Sequence, residues 1–155
     1  MSQAAAIAQL TPQIGHETYV SDWVTVGQDQ VNTFADATGD HQWIHIDPAR
    51  AAEESQYGAT IAHGYLTLSL YPALRNLVNP DEPVFDGVKN VINYGLNKVR
   101  FPNALKVGAR VRARVTLAGV EEVSGGLQVT EVYMAEIEGE TKPACVAEAI
   151  MRYYF

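Results

Sequence analysis

The sequence is short of cysteine, of basic residues near its start and of long apolar runs, and each shortage excludes a class of protein. The lone cysteine, Cys145, allows no intrachain disulfide and no cysteine-based zinc cluster, and it suits a reducing compartment. No segment approaches the ~18–20 consecutive apolar residues that cross a bilayer, and the Ala-rich beginning lacks the positive charge of a signal peptide. We therefore expect a cytoplasmic protein without a membrane segment.

Basic side chains are also scarce in total. The 18 Asp and Glu outweigh the 11 Lys and Arg, and the net charge of −7 argues against a nucleic-acid partner, because neutralising phosphates needs the opposite sign. The first basic residue is Arg50, and six of the 11 lie close together in the second half of the chain. These six are Lys98, Arg100, Lys106, Arg110, Arg112 and Arg114.

The sequence does contain enough apolar surface for one core. A length of 155 residues and an apolar fraction of 47% fit a single domain over residues 1–155, of which we expect residues 1–12 to form a loose N-terminal arm. β-branched and aromatic side chains predict a strand over 16–26. Apolar residues at helical spacing predict a helix from Gln28 that stops at Gly39, and Asp47-Pro48 is a typical helix start.

The second half predicts one apolar helix followed by four strands. Residues 64–78 leave almost no polar face, so a helix there is expected to be buried on nearly all sides. Strands are expected at 91–101, 109–122, 127–137 and 144–154, with a hairpin turn at Ser124-Gly125-Gly126. An antiparallel sheet with segregated helices belongs to the α+β class. A curved sheet around the apolar helix leaves one sheet face and the helix ends uncovered, and we therefore expect a dimer.

The segment 38–45 holds the strongest candidates for chemistry. Asp40 and His45 are five residues apart, which on one continuous helix would place them about 140° from each other. A loop between two helices would instead turn both toward one water molecule, the minimum arrangement for adding water to a polarised double bond. Two other interpretations stay open. One makes Asp40 a helix cap and His45 a partly buried aromatic; the other is a metal site of His41 and His45 with Asp36 or Asp40.

The segment 61–69 is the second candidate. Gly64 would begin the apolar helix, where free backbone N–H groups can stabilise an oxyanion that develops on a thioester carbonyl. The alternative is that Gly64 only permits close packing and that Ser69 bonds back to a helix carbonyl.

Together these residues carry a resemblance to a known family. The residues Phe34, Gly39, Asp40, His45 and Ala51, followed by Ala62-His63-Gly64 and Ser69, resemble the MaoC-like dehydratases, which include the (R)-specific enoyl-CoA hydratases. Residues 93–102, with the sequence NYGLNKVRFP, are similar to the nodulation-protein-N-like branch of that family. The resemblance implies a hot-dog fold, in which an antiparallel sheet wraps around a long buried helix, and a homodimer.

The resemblance also implies an enzyme of the hydro-lyase class. It would hydrate a trans-2-enoyl-CoA reversibly to the (R)-3-hydroxyacyl-CoA, without a metal or another cofactor. Asp40 and His45 would hold the catalytic water, Gly64 would donate its N–H to the thioester oxygen, and Ser69 would support Asp40 from the helix. Weaker candidates for binding the acyl-CoA, with the basic pair directed to its phosphates, are His63, Tyr65, Asn93, Tyr94, Lys98 and Arg100.

The sequence departs from the family pattern at Gln42-Trp43, where Asn-Pro is common. The change removes a fixed φ angle and places a large ring near the expected acyl tunnel, which bears on chain-length preference more than on reaction type. Two alternative functions remain open. A hot-dog acyl-CoA thioesterase would release free CoA, and a non-catalytic acyl-CoA-binding protein would consume no substrate.

Overall fold

The computed structural model describes residues 2–155, which form six helices, a short 3₁₀ turn and six strands. The helices are α1 (Gln3–Leu10), α2 (Gln28–Thr38), α3 (Trp43–Ile46), α4 (Pro48–Glu54), α5 (Gly64–Ser69) and α6 (Tyr71–Leu74). The predicted helices from Gln28 and Pro48 are confirmed. Gly39 ends α2 with a φ of +83°, and the Asp47 side chain accepts a hydrogen bond from the Arg50 N–H at the start of α4.

The strands are β1 (Glu17–Val20), β2 (Val24–Thr25), β3 (Asn90–Arg100), β4 (Arg110–Val123), β5 (Gly126–Ile137) and β6 (Cys145–Tyr154). They form one antiparallel sheet in the order β1-β4-β5-β6-β3, and β2 also pairs with β4. The four long strands and the 124–126 hairpin are confirmed, whereas residues 21–23 interrupt the strand predicted over 16–26. In β4, Val111, Ala113 and Val115 are fully buried and the arginines between them face outward, as the alternation predicts.

The N-terminal arm is an ordered helix, so the prediction of a loose arm is wrong for residues 2–12. The Ser2 side chain accepts a hydrogen bond from the Ala5 N–H and caps α1. Ala6 is fully buried in the core, with Ile7 and Leu10 packed against the same cluster. Met1 lies outside the described residues. Among residues 2–155, no helix is long and apolar enough to span a bilayer.

The apolar segment 64–78 is two short helices and not a single long one. Pro72 is the physical reason, because proline has no N–H to bond to the Leu68 carbonyl and its ring crowds the preceding turn. The expected burial on nearly all sides is also wrong at both ends, since Tyr65 is 72% exposed and Val78 is 70% exposed. The inner sides of α5 and α6 do belong to the core cluster that the sheet encloses.

A charged group lies in the core where the strand pattern predicts an apolar side chain. Glu131 of β5 is 2% exposed, and its carboxylate accepts hydrogen bonds from the Tyr71 hydroxyl and from the Arg75 guanidinium. Burial opposes the charged form of Arg75, but the Glu131 carboxylate outweighs it and raises the pKa of the guanidinium. Burial, followed by the same carboxylate, raises the pKa of Tyr71, so its hydroxyl keeps the proton that it donates. The cluster fastens α6 to the sheet.

Candidate active site

The loop between α2 and α3 brings Asp40 and His45 together. Asp40 lies in the loop, and His45 follows it on α3. A carboxylate oxygen of Asp40 and a ring nitrogen of His45 lie within 4.8 Å of each other. One water with ordinary hydrogen bonds to both atoms spans a gap of this size. The arrangement is the one that the loop interpretation requires.

His45 is oriented by a main-chain carbonyl. The ring is 7% exposed, and its Nδ1 lies 2.7 Å from the Ile61 carbonyl oxygen. Because a carbonyl oxygen only accepts, Nδ1 carries the proton and Nε2 keeps a lone pair. Burial lowers the pKa of His45, and the bond to Ile61 offsets this only in part. His45 is therefore neutral at pH 7 and able to accept a proton at Nε2.

Asp40 is open to solvent at its carboxylate and held at its main chain. The side chain is 53% exposed, and Oδ1 accepts a long hydrogen bond of 3.4 Å from the Gln42 N–H. The Asp40 carbonyl oxygen accepts a hydrogen bond of 2.9 Å from Nε2 of His63. His63, which was predicted only as a weak substrate-binding candidate, is 3% exposed and packs inside the protein. This contact was not predicted, although the Ala62-His63-Gly64 motif had marked the residue.

The metal interpretation of His41 and His45 does not match the structure. The His41 ring contacts the Asp36 carboxylate at 2.9 Å on the surface, and this hydrogen bond raises the pKa of His41. Within residues 2–155, one group offers three metal-ligand atoms within 4.8 Å of one another, and it consists of Asp40, His45 and His63. One nitrogen of each of these two imidazoles is already bonded to a backbone carbonyl.

Gly64 and His45 line the same cavity. It has a volume of about 170 Å³, and Thr67 and Phe101 also border it. A Cβ atom on Gly64 would lie 3.0 Å from the Phe101 ring, so a larger residue here would require that ring to move. Gly64 begins α5 without a side-chain cap, which leaves its N–H available for the predicted bond to a thioester oxygen.

Ser69 does not support Asp40 within the chain, so that prediction is wrong. Its hydroxyl donates to the Leu66 carbonyl at 2.9 Å, as the alternative interpretation expected. Ser69 and Asn93 instead line a second cavity of about 310 Å³, which neither Asp40 nor His45 borders. The physical reason is helical geometry, because Ser69 lies five residues after Gly64 and about 140° around the helix from it.

The remaining substrate-binding candidates lie on the surface. Tyr65 contacts the edge of Phe101 with ring centroids 6.0 Å apart. Tyr94 is covered by the Arg152 guanidinium at 3.3 Å from its ring centroid. Lys98 and Arg100 are exposed on β3. The structure thus brings none of these four side chains to the Asp40–His45 pair in the described chain.

The three arginines of the cluster that lie on β4 are paired with glutamates. Ion pairs join Arg110 to Glu138, Arg112 to Glu136 and Arg114 to Glu17. The interpretation of these three arginines as a solvated strand face is confirmed. Trp43 lies under the Arg50 guanidinium, 4.3 Å from the ring centroid, so this large ring packs against α4.

Known proteins resemble the chain over most of its length. A family model described as a MaoC like domain matches residues 9–139. The 3-hydroxyacyl-thioester dehydratase Z of Mycobacterium tuberculosis (strain ATCC 25618 / H37Rv) is 53% identical over 149 residues, which cover 96% of this chain and 95% of that protein. Nodulation protein N of Rhizobium leguminosarum bv. viciae is 41% identical over 94% of this chain and 89% of its own.

Solved structures share the architecture. The (R)-hydratase from A. caviae involved in PHA biosynthesis superposes with a TM-score of 0.63 at 25% identity, covering 86% of this chain and 96% of that one. The MaoC-like dehydratase from Rhodospirillum rubrum superposes with a TM-score of 0.69 at 22% identity, covering 91% and 92%. These matches confirm the predicted α+β hot-dog fold, here with two short helices in place of one long helix.

Proposed function

The chain belongs to the MaoC-like dehydratase family, and we propose that it is an (R)-specific enoyl-CoA hydratase, which adds water reversibly to a trans-2-enoyl-CoA. It is a hydro-lyase, as the family and its 53% identical dehydratase relative show. That relative is named for 3-hydroxyacyl thioesters, and this supports the thioester class. The observation that carries the proposal is the Asp40–His45 pair, in which a carboxylate oxygen of Asp40 and a ring nitrogen of His45 lie within 4.8 Å of each other.

The geometry supports a division of work between the two residues. Because its pKa is lowered, His45 is neutral at pH 7. Because its Nδ1 is bonded to the Ile61 carbonyl, it accepts the proton of the water at Nε2. Asp40 accepts the second hydrogen bond of the same water and directs its oxygen toward C3 of the enoyl group. The Gly64 N–H stabilises the negative charge on the thioester oxygen. The pair then returns the proton to C2, so that one H and one OH are added.

The CoA portion has candidate contacts beside the cavity. Lys98 and Arg100 are exposed at the end of β3, and Phe101, which follows them, borders the cavity that His45 and Gly64 share. Phosphate groups form charge-assisted bonds with such side chains. We therefore retain this pair for the phosphates of CoA.

The test is a panel of trans-2-enoyl-CoA substrates of increasing chain length, with chiral analysis of the product. We expect formation of the (R)-3-hydroxyacyl-CoA and no free CoA. Release of a free thiol, followed with a thiol reagent, would make the protein a thioesterase instead. Tight binding without consumption of any chain length would make it a binding protein. Either result contradicts the proposal.

Cys145 should not disturb that thiol assay. Its side chain is fully buried in the core, and burial raises the pKa of the thiol to about 12. Because the thiolate is the reactive form, we expect no reaction of the native protein with the reagent and one equivalent of reaction after unfolding. Rapid labelling of the native protein would contradict this burial.

The pH dependence of kcat/KM reports the protonation of His45 in the free enzyme. The residue acts as a base only when it is neutral, and burial lowers its pKa below the usual value of 6.5. We therefore expect kcat/KM to fall on the acid side with a midpoint below pH 6.5. Circular dichroism at each pH separates this loss from acid unfolding. An acid-side midpoint of kcat/KM above pH 6.5 would be inconsistent with His45 as the base.

We further propose a homodimer that covers β3. Within the described chain, β3 is an edge strand that pairs only with β6. It carries apolar side chains that are about half exposed, namely Ile92, Tyr94 and Leu96. Long exposed apolar edge strands are unusual unless another chain covers them.

Sedimentation measures this dimer directly. We expect twice the chain mass of 16.9 kDa, about 34 kDa. Leu96→Lys is expected to shift the protein toward the monomer, because it places a charge in the proposed interface. Val78→Lys changes an equally apolar and more exposed residue outside β3 and serves as the control. A monomeric unsubstituted protein would contradict the dimer.

A further inference from the structure

His63 is in contact with each of the elements that build the candidate site. Its ring stacks on His45 with centroids 3.8 Å apart and an angle of 24° between the planes. The other contacts are with Phe34 of α2, at 4.9 Å between centroids, and with the Asp40 carbonyl, at 2.9 Å from Nε2. Gly64 follows it in the chain and begins α5. The ring is 3% exposed, so these contacts are made inside the protein.

The hydrogen bond to the Asp40 carbonyl determines which nitrogen of the His63 ring carries the proton. Because a carbonyl oxygen only accepts, Nε2 of His63 carries the proton in this contact. Nδ1 is buried and has no hydrogen-bond partner among the described residues. An unsatisfied buried nitrogen is unfavourable, so the hydrogen bonds of His63 itself do not account for the position of its ring. The contacts that the ring makes with Asp40 and His45 do account for it.

Asp40 depends on this contact for its position. The loop that carries it has no regular structure. Among residues 2–155, the carboxylate accepts the long bond from Gln42 and lies 4.0 Å from Nε2 of His63. Trp43 stands where the family often has proline, so the loop lacks that fixed φ angle. The bond from His63 therefore restrains the Asp40 main chain, and the stacked His63 ring packs against one face of the His45 ring.

We propose that His63 is a positioning residue, which sets the spacing between Asp40 and His45 through its bond to the Asp40 carbonyl and its stacking on the His45 ring. Its Nε2 lies 4.0 Å from Oδ2 of Asp40, beyond hydrogen-bond distance. The inference rests on the proposed hydratase function. Misplacing a catalytic group by about 1 Å can cost about 10²-fold in rate. Loss of the Nε2 donor is therefore expected to lower kcat without a matching change in KM.

Two substitutions separate the donor from the ring. His63→Phe keeps a stacked ring and removes the donor, whereas His63→Gln keeps an N–H near the position of Nε2 and removes the ring. We expect His63→Phe to lower kcat about 10- to 100-fold with KM within about twofold, and His63→Gln to recover part of this loss. In the Asp40→Asn background, His63→Phe should have little further effect, because both changes act through the same group. His41→Gln, in the same loop, is the control.

A second readout does not depend on the reaction. Hydrogen exchange of the backbone amides in residues 40–45 is expected to accelerate in His63→Phe and to stay near normal in His41→Gln. An increase in KM with unchanged kcat would overturn the inference and return His63 to substrate binding. If His63→Phe and His63→Gln lose activity to the same extent, and both also lose thermal stability, the role of His63 is structural only. This result would also overturn the inference. If the unsubstituted protein hydrates no enoyl-CoA, the proposed function itself fails, whereas wild-type kcat in His63→Phe refutes only the positioning role.

Discussion

Replacing Asp40 with asparagine lowers kcat for enoyl-CoA hydration by about 10²–10⁴-fold, the usual contribution of a positioned acid or base, and leaves the protein folded. Asparagine has the shape of aspartate but carries no negative charge to hold the water and the proton. The fold is spared because the structural contact of Asp40 is its main-chain carbonyl, which the substitution keeps. Steady-state kinetics with a short enoyl-CoA and a thermal melt measure both parts of the prediction.

A matched control lies one helical turn upstream. Asp36→Asn changes a carboxylate that is 77% exposed and forms an ion pair with His41, and we expect kcat to stay within twofold of the unsubstituted protein. His45→Gln should repeat the loss seen with Asp40→Asn, because glutamine can donate to the Ile61 carbonyl but cannot act as a base. Near-normal kcat in both Asp40→Asn and His45→Gln would show that the pair does not carry the reaction.

Local signals in the sequence predicted most of the elements around this pair. Gly39 stops α2 because its φ of +83° favours glycine, and Asp47 caps α4 with its own side chain. The alternation in β4 requires only that one face of the sheet be buried. In each of these cases, residues close together in the chain determine the structure. The Asp40–His45 pair was predictable for the same reason, since one short loop carries both.

The errors concern contacts between distant parts of the chain. Ala6 is buried because α1 packs on the sheet, which no signal within residues 1–12 reveals. The bond from His63 to Asp40 joins residues 23 positions apart, and helical or strand periodicity does not encode such a pair. Pro72 is an exception, because it lies in the apolar run and its effect on a helix is local. The hydrophobicity of 64–78 outweighed that signal in the prediction of one helix.

Glu131 is buried at a position of β5 where the alternating strand pattern predicts an apolar side chain. Of the substitutions considered, its replacement should lower the stability of the protein most. Glu131→Leu fits the apolar alternation of β5 but leaves the Arg75 guanidinium and the Tyr71 hydroxyl without their acceptor. Breaking a buried ion pair at one partner costs about 3–5 kcal/mol. At about 2–4 °C per kcal/mol for a chain of this size, the melting temperature should fall by about 6–20 °C. Melts at one protein concentration measure it, since the proposed dimerisation would make the value concentration-dependent.

The double substitution Arg75→Met with Glu131→Leu distinguishes a buried charge from a packing defect. Replacing both partners by apolar side chains of similar volume is often neutral or stabilising, so we expect the double variant to regain the part of the melting temperature that the uncompensated guanidinium costs. The part that comes from the Tyr71 hydroxyl, which still lacks its acceptor, should remain lost. Glu131→Gln, which keeps the shape and one acceptor, should fall between the two. If the double variant is no more stable than Glu131→Leu, the loss comes from packing around residue 131 and not from the uncompensated guanidinium. Recovery would instead mean that the ion pair adds little net stability, because the Coulomb attraction between the two groups is offset by the free energy of removing both from water.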